Sequence, residues 1–515
     1  DQFTAPQICS AAMIEATASG EPKATQKAPA NLAKVSRVSS RTELPAEITA
    51  KPAGAEETPA GLVSSQQLVV ASSEDADGPI NGVLTLAHFK KGATGCYDRE
   101  SRDEWAVVDA HLHSRPFGGA PVRFDLLLDW MRRAGTLFAV LYGIGQRLPI
   151  DSPCTYYLDC PGTALKSSLK NDFFNAQAVL DNNVTIGSDP RGPHLTLSMS
   201  FLDLHAPEDA LPKMKLLQGE FPGMFKWVGE INIVKQAIQK NKLGFAPTIE
   251  SIKKWEPFMT ELRKQGVPIA LHCDLGNDNG TTTTEFLPWV DEALRLYPDN
   301  KIIWMHMAGL SKQLDPKMPP ALLQVPLYIP DHIKIITDRL DKYPLMSVDL
   351  SWDVLYNELY NNPSEKKPYV EMVNKYPTRF ISGSDFVAAG TKLEEDWRGE
   401  VNRTSDIYNA LTDEAFRLVA LGENYFKLAG IDDQFTAPQI CSAAMIEATA
   451  SGEPKATQKA PANLAKVSRV SSRTELPAEI TAKPAGAEET PAGLVSSQQL
   501  VVASSEDADG PINGV

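Results

Sequence analysis

Val107-Val108-Asp109-Ala110-His111-Leu112-His113 is the stretch on which the fold turns. It is a short apolar run of β-branched residues that ends in two histidines. In a strand, residues two apart point to the same side. His111 and His113 therefore face one way, at the carboxyl end of a buried strand.

Seven further runs of the same kind follow. They are Leu137–Tyr142, Leu195–Phe201, Phe225–Ile231, Pro268–His272, Lys301–His306, Leu345–Leu350 and Phe380–Asp385, with Ala106–Ala110 as the first. Amphipathic segments lie between them, among them Asp125–Ala134, Ile249–Gln265 and Glu285–Tyr297. Strands alternating with helices imply βαβ units and a parallel sheet. Eight such strands predict an α/β chain folded as a (β/α)8 TIM barrel. The long stretch Gly143–His194 is then a loop inserted after the second strand, with some helix of its own.

Polar residues recur at the strand ends, where such barrels place their chemistry. Glu230 follows the fourth strand's Phe225-Lys226-Trp227-Val228-Gly229. His272 ends the fifth run, His306 the sixth and Asp385 the eighth. Imidazoles and carboxylates are ligands of zinc-like ions. Taken singly, Glu230 reads as a strand-end charge, His272 and His306 as packed core histidines, and Asp385 as a helix N-cap. Their shared placement in barrel order favours a metal centre.

Outside this region the chain repeats itself. Residues 1–83 recur without one change as residues 433–515, a period of 432. Each copy carries ten acidic and six basic residues and a single aromatic, Phe3 or Phe435. So little apolar surface cannot offset chain entropy, which is the composition of a disordered segment. Three regions follow: a low-complexity segment over 1–83, a barrel over 84–431, and the second copy over 432–515. The whole chain has 50 basic and 65 acidic residues, a net charge of −15. That balance excludes a cationic nucleic-acid surface. No run approaches the length of a membrane span.

Residues 84–431 resemble the amidohydrolase superfamily, and most of all its branch with aminocarboxymuconate-semialdehyde decarboxylase and related hydrolases. The resemblance rests on Asp109-Ala110-His111-Leu112-His113, Leu271-His272, Trp304-Met305-His306, Gly383-Ser384-Asp385 and the closing Gly422–Ile431. It implies that His111, His113, His272 and Asp385 bind a divalent metal, with zinc preferred over manganese. It also implies that Asp385 accepts a proton from a metal-activated water. His306 would be a second-metal ligand or an acid/base that orients substrate. Glu230 departs from the decarboxylase-like pattern and is similar to superfamily members in which a carboxylate bridges two metals. One ion is preferred, because Lys226 falls four residues short of the place where a carbamylated lysine would end the strand. Two ions, and an outer role for Glu230, stay open.

The activity so implied is hydrolysis of an amide, lactone or ester of a small carboxylate-bearing substrate. Non-oxidative decarboxylation on the same metal site is the alternative. A non-catalytic barrel serving as a binding or structural module is the reading from a different class. Arg115, two residues after His113, is placed to clamp a substrate carboxylate; its bland reading is a loop-stabilising arginine. Lys235 is a second cation near the fourth strand. Pairing of two barrels into a homodimer is open. Cys154 and Cys160 stand close enough for a local disulfide, which would place the protein outside the cytosol; as free thiols they would leave a cytoplasmic location open.

Overall fold

A computed structural model describes residues 78–102, 106–149, 151–182, 192–203, 206–241, 248–277, 282–309, 331–352, 355–360 and 363–450. Eight strand positions form the barrel: β1 (Val108–His113), β2 (Phe138–Tyr142), β3 (His194–Met199), β4 (Phe225–Val234), β5 (Ile269–Cys273), β6 (Ile302–Trp304), β7 (Met346–Leu350) and β8 (Phe380–Ser382). Neighbours pair in parallel and in chain order. β8 breaks at Gly383-Ser384-Asp385 and resumes as Phe386–Val387, which pairs with β1. The Ser382 hydroxyl donates to the Val108 carbonyl at 2.9 Å, and the Asp385 N–H donates to the His111 carbonyl at 2.8 Å. The last strand thus meets the first. The expected (β/α)8 barrel is the fold of this chain.

Helices Phe124–Ala134, Lys170–Asp181, Ala210–Glu220, Glu256–Gln265, Leu287–Leu296, His332–Lys342, Pro363–Lys375 and Glu394–Ser405 follow the eight strands in turn. The first shows how sequence sets such an element. Leu127, Leu128, Trp130 and Met131 are its buried residues, an apolar stripe at helical spacing. It stops at Gly135, whose φ of 79° closes the last turn in a left-handed conformation.

Two strands differ from the sequence expectation. β4 runs on to Val234, because Ile231-Asn232-Ile233-Val234 continues the pairing with β5. β6 stops at Trp304, and the chain turns into left-handed backbone at His306, Met307 and Ala308 (φ 56°, 49° and 61°). The stretch after β2 holds a small ladder, Gln146–Arg147 against Lys166–Ser167, and the helix Lys170–Asp181. Phe117, Ile144, Leu148, Tyr157, Leu165 and Ile238 form a satellite core there, and a Cys154–Cys160 disulfide ties it.

The folded chain does not end at Ile431, nor begin at Leu84. Residues 433–441, the start of the second repeat copy, lie against the barrel, and the helix Ala443–Ala450 follows. Phe435 is buried in edge-on contact with Phe138 and His194. The Thr436 N–H donates to the Phe89 carbonyl at 2.7 Å, and Glu423 accepts from Thr436 Oγ1 and the Ala437 N–H. Gln439–Ile440 pairs in parallel with Cys96–Tyr97, and Cys441 is disulfide-bonded to Cys96. On the other side of Cys96, Pro79 and Ile80 from the end of the first copy form a bridge and a hydrogen bond. The low-complexity composition hid this because one aromatic and one cysteine carry the attachment. The remainder of both copies lies outside the described residues.

Candidate metal centre

The strand ends bring the candidate ligands together at one mouth of the barrel. His111 and His113 leave β1 side by side, with their Nε2 atoms 3.2 Å apart. Asp385 Oδ1 lies 3.3 Å from each. Glu230, in the middle of β4, brings Oε2 within 3.4 Å of His113 Nε2. Its other oxygen, Oε1, is in short contact with His272 Nδ1 and lies 3.4 Å from His306 Nε2. Those two imidazole nitrogens are 3.0 Å apart. Three groups of donors stand close enough to hold an ion: His111, His306 and Asp349, and two that meet at Glu230, namely His111, His113 and Asp385, and Glu230, His272 and His306. Glu230 touches both.

Local backbone explains the convergence. Asp385 and His306 both have positive φ, 60° and 56°, which aims each side chain inward from a sharp turn rather than along a strand. Such strain in non-glycine residues collects at functional sites. Gly383 is required beside them, since a Cβ there would stand 2.7 Å from that of His111.

Each imidazole is anchored by its outer nitrogen. His113 Nδ1 faces the Gly143 carbonyl at 3.1 Å. A carbonyl only accepts, so this nitrogen carries a proton and leaves Nε2 as the one turned toward Asp385 and Glu230. His111 Nδ1 lies 2.9 Å from Asp349 Oδ2 and 2.9 Å from Ser351 Oγ. The Ser351 hydroxyl donates to Asp349 at 2.9 Å, which leaves its oxygen to accept from His306 Nδ1 at 3.0 Å. His272 Nε2 faces Asp274 Oδ1 at 3.0 Å. The four inner nitrogens therefore face one another and two carboxylates. Outer partners of this kind orient metal-ligating histidines and raise their basicity.

The electrostatics agree. Burial alone would lower the His113 pKa, yet Asp385 and Glu230 raise it to about 9. Burial alone would raise Asp385, but His111, His113 and His306 pull it well below the carboxylate range. Burial likewise opposes the ionised Glu230, and Lys235, His272 and His113 overcome it. His306 is lowered, chiefly by burial. The pocket is built to hold positive charge.

The donor set fits divalent ions. Ligands about 2.0–2.2 Å from an ion in tetrahedral arrangement stand roughly 3.3–3.6 Å from one another. The His111, His113 and Asp385 atoms stand 3.2–3.3 Å apart. The chemistry of the set, imidazole with carboxylate, suits zinc or manganese.

Arg115 is placed differently from its expected role. Its guanidinium donates to the Phe174 carbonyl at 3.3 Å and lies 4.9 Å from the centre of the Phe174 ring. Both contacts tie it to the helix after β2, and among the described contacts none joins it to the donors. Lys235 is the cation at the centre: Nζ donates to Glu230 Oε1 at 2.9 Å, and Glu230 and Asp385 raise its pKa against the pull of burial. Phe117 covers it, 5.7 Å from Nζ to the ring centre.

Sequence reasoning missed several neighbours. Asp349 and Ser351 anchor two of the imidazoles, and the signal was there: they are two apart at the end of β7, as His111 and His113 are on β1. Asp274 repeats that spacing after His272. Trp352, at φ 81°, sets its ring at a tilt to two of the imidazoles, with centroids 5.1 Å from His306 and 6.5 Å from His272. Tyr156, from the inserted stretch, is half-buried and close enough to Lys235, Asp385 and Glu230 to feel their charges. Nothing in the spacing of an insertion marks such a residue.

No protein-family model and no curated protein matches the chain. Solved structures do. An uncharacterized TIM-barrel protein of Bordetella bronchiseptica is 13% identical over 63% of this chain and 99% of its own, with a TM-score of 0.38. A dihydroorotase of Campylobacter jejuni is 12% identical over 63% of this chain and 83% of its own, with a TM-score of 0.34. A putative 2-pyrone-4,6-dicarboxylic acid hydrolase of Pseudomonas putida is 13% identical over 64% and 98%, with a TM-score of 0.35. The barrel itself is read from this chain's own strands, which pair in parallel and in chain order.

Proposed function

We propose that this protein is a metal-dependent hydrolase of the amidohydrolase kind, acting on an amide, lactone or ester of a small carboxylate-bearing substrate. One observation carries the proposal: four outward-anchored imidazoles and two carboxylates converge with their acceptor atoms facing one another. Only cations relieve that arrangement. His111, His113 and Asp385 would hold one ion, and His272 and His306 a second, with Glu230 shared between them. The sequence alone favoured one ion; the two donor groups about Glu230 favour two. Such ions supply Lewis acidity and bring the pKa of bound water toward about 7.

The chain's own residues do the rest. Asp385, at the rim of the first group, is placed to accept a proton from the attacking water and to pass it to the leaving group. Asp349, Ser351, Asp274 and Gly143 hold the outer imidazole nitrogens, so that each ring turns its inner nitrogen toward the centre; the inner proton that the raised His113 pKa favours would be displaced on ion binding. Lys235 lies against Glu230 and beneath Phe117 and Tyr156. With an ion on the Glu230 side, its flexible ammonium is free to turn toward a substrate carboxylate. Phe117, Tyr156 and Trp352 narrow the mouth and exclude bulk water. The Cys154–Cys160 and Cys96–Cys441 disulfides support an oxidising compartment.

The test is a screen of the zinc- and manganese-loaded full chain against carboxylate-bearing lactones, amides and esters, with carbon dioxide release monitored in parallel. Hydrolysis that stops on chelation and in Asp385→Asn supports the proposal. Carbon dioxide release from an aromatic or dienoic acid without hydrolysis would replace it with the decarboxylase. Ion binding with neither reaction would favour a non-catalytic module.

A further inference from the structure

The groove beside Cys96 has two identical ligands in one chain. Residues 433–441 fill it here: Phe435 enters the core, Gln439–Ile440 pairs with Cys96–Tyr97, and Cys441 closes the disulfide. Residues 1–9 repeat those nine residues without change, so Phe3, Gln7, Ile8 and Cys9 stand where Phe435, Gln439, Ile440 and Cys441 do. Every side chain and backbone group that docks the second copy is present in the first. Position also matters. The first copy ends at the groove itself, since the Cys96 N–H donates to the Gly78 carbonyl at 2.9 Å and the Ile80 N–H to the Cys96 carbonyl at 2.8 Å. From Ser10 back to residue 77 there are 68 residues. Fully extended they would span roughly 220 Å, far more than a return to Cys96 requires. A ligand tethered this way meets its site intramolecularly, ahead of any copy in solution.

We propose that Asp1–Ser10 is a second, exchangeable occupant of the Cys96 groove of its own chain, with Cys9 able to replace Cys441 in the disulfide. The exchange is balanced. When residues 439–441 lift from Cys96, the Cys9 thiolate attacks the Cys96 sulfur. A Cys9–Cys96 bond forms as the Cys96–Cys441 bond breaks. Cys441 leaves as a thiolate and takes the proton that Cys9 gave up, with no net oxidation. The second copy dominates because it follows the last helix with no tether, Phe435 lying four residues after Ile431. Release of residues 433–441 would free the carboxyl-terminal copy for the same groove on another barrel, so the repeat is a connector as well as a closure.

The test uses the full chain carrying Cys441→Ser, equilibrated with oxidised and reduced glutathione and digested without reduction. Trypsin separates the copies, because Cys9 falls in Asp1–Lys23 and position 441 in Leu428–Lys455, while Cys96 falls in Gly92–Arg99. The expected result is a Cys9–Cys96 disulfide in monomeric protein. Adding Phe3→Ala to the variant should lower its yield by about tenfold, since Phe3 is the anchor. Cys9 and Cys96 left as thiols or glutathione adducts would overturn the proposal. So would a Cys9–Cys96 bond confined to a disulfide-linked dimer, or one indifferent to Phe3→Ala.

Discussion

Asp349 Oδ2 lies 2.9 Å from His111 Nδ1, and this one contact decides which nitrogen of His111 faces the metal centre. The carboxylate is buried, and the His111 hydrogen bond holds its pKa down against the effect of burial. It also accepts from Ser351 Oγ and from the His306 backbone N–H, so two ligands of different donor groups hang on it. Asp349→Ala removes the anchor while leaving every donor in place. Metal affinity should fall 10–100-fold, the usual effect of losing such an outer partner. Competition with a chelating dye measures it, and unchanged affinity would remove Asp349 from the centre.

The strap has an energetic signature. Phe435 fills a site among Phe138, His194 and Phe426. In a chain that also carries Phe3→Ala, so that the first copy cannot take the site, Phe435→Ala should destabilise the fold by about 3 kcal/mol through lost burial and the cavity left behind. Urea denaturation of the full chain reads this directly. A loss below about 0.5 kcal/mol would show that residues 433–441 are not part of the core.

His194 gives a pH dependence with a definite sign. Burial lowers its pKa to about 4 from 6.5. The unfolded chain therefore takes up the proton first as pH falls. Its contribution is complete above about pH 6.5 and drains away toward pH 4, by up to about 3 kcal/mol. His194→Phe should flatten that part of the stability profile. An unchanged slope would mean that His194 is hydrated rather than packed against Phe435.

Ion binding should stabilise the fold. At a free ion concentration about 100 times Kd the gain is about 2.7 kcal/mol, provided the unfolded chain does not compete. Melting with zinc, and then with a chelator, should show a reversible upward shift in Tm. Asp385→Asn should reduce the shift, while Arg115→Gln should leave it intact, because Arg115 is engaged with Phe174.

The barrel and the convergence of its candidate donors were legible because both follow local rules. Apolar runs with period-two placement fix which side chains face the mouth, and His111, His113, Glu230, His272, His306 and Asp385 all sit at or just after such runs. What was illegible depends on partners distant in sequence. The pairing of Cys96 with Cys441 spans 345 residues, and connectivity cannot be deduced from cysteine spacing. The docking of Phe435 hangs on one aromatic in a stretch whose composition argues for disorder. The contact of Arg115 with Phe174 was not legible, because proximity to His113 in sequence says nothing of Phe174. Tyr156 reaches the site only through the tertiary placement of the inserted stretch.

The most direct measurement is the metal content of the full chain after reconstitution with zinc and removal of excess ion, beside Glu230→Ala and the double variant His272→Ala/His306→Ala. About two equivalents are expected, falling to about one in either variant, because each removes donors of the second group and spares His111, His113 and Asp385. One equivalent in the parent, unchanged by the loss of His272 and His306, would contradict the shared Glu230 centre. No bound ion at all would contradict the metal site itself.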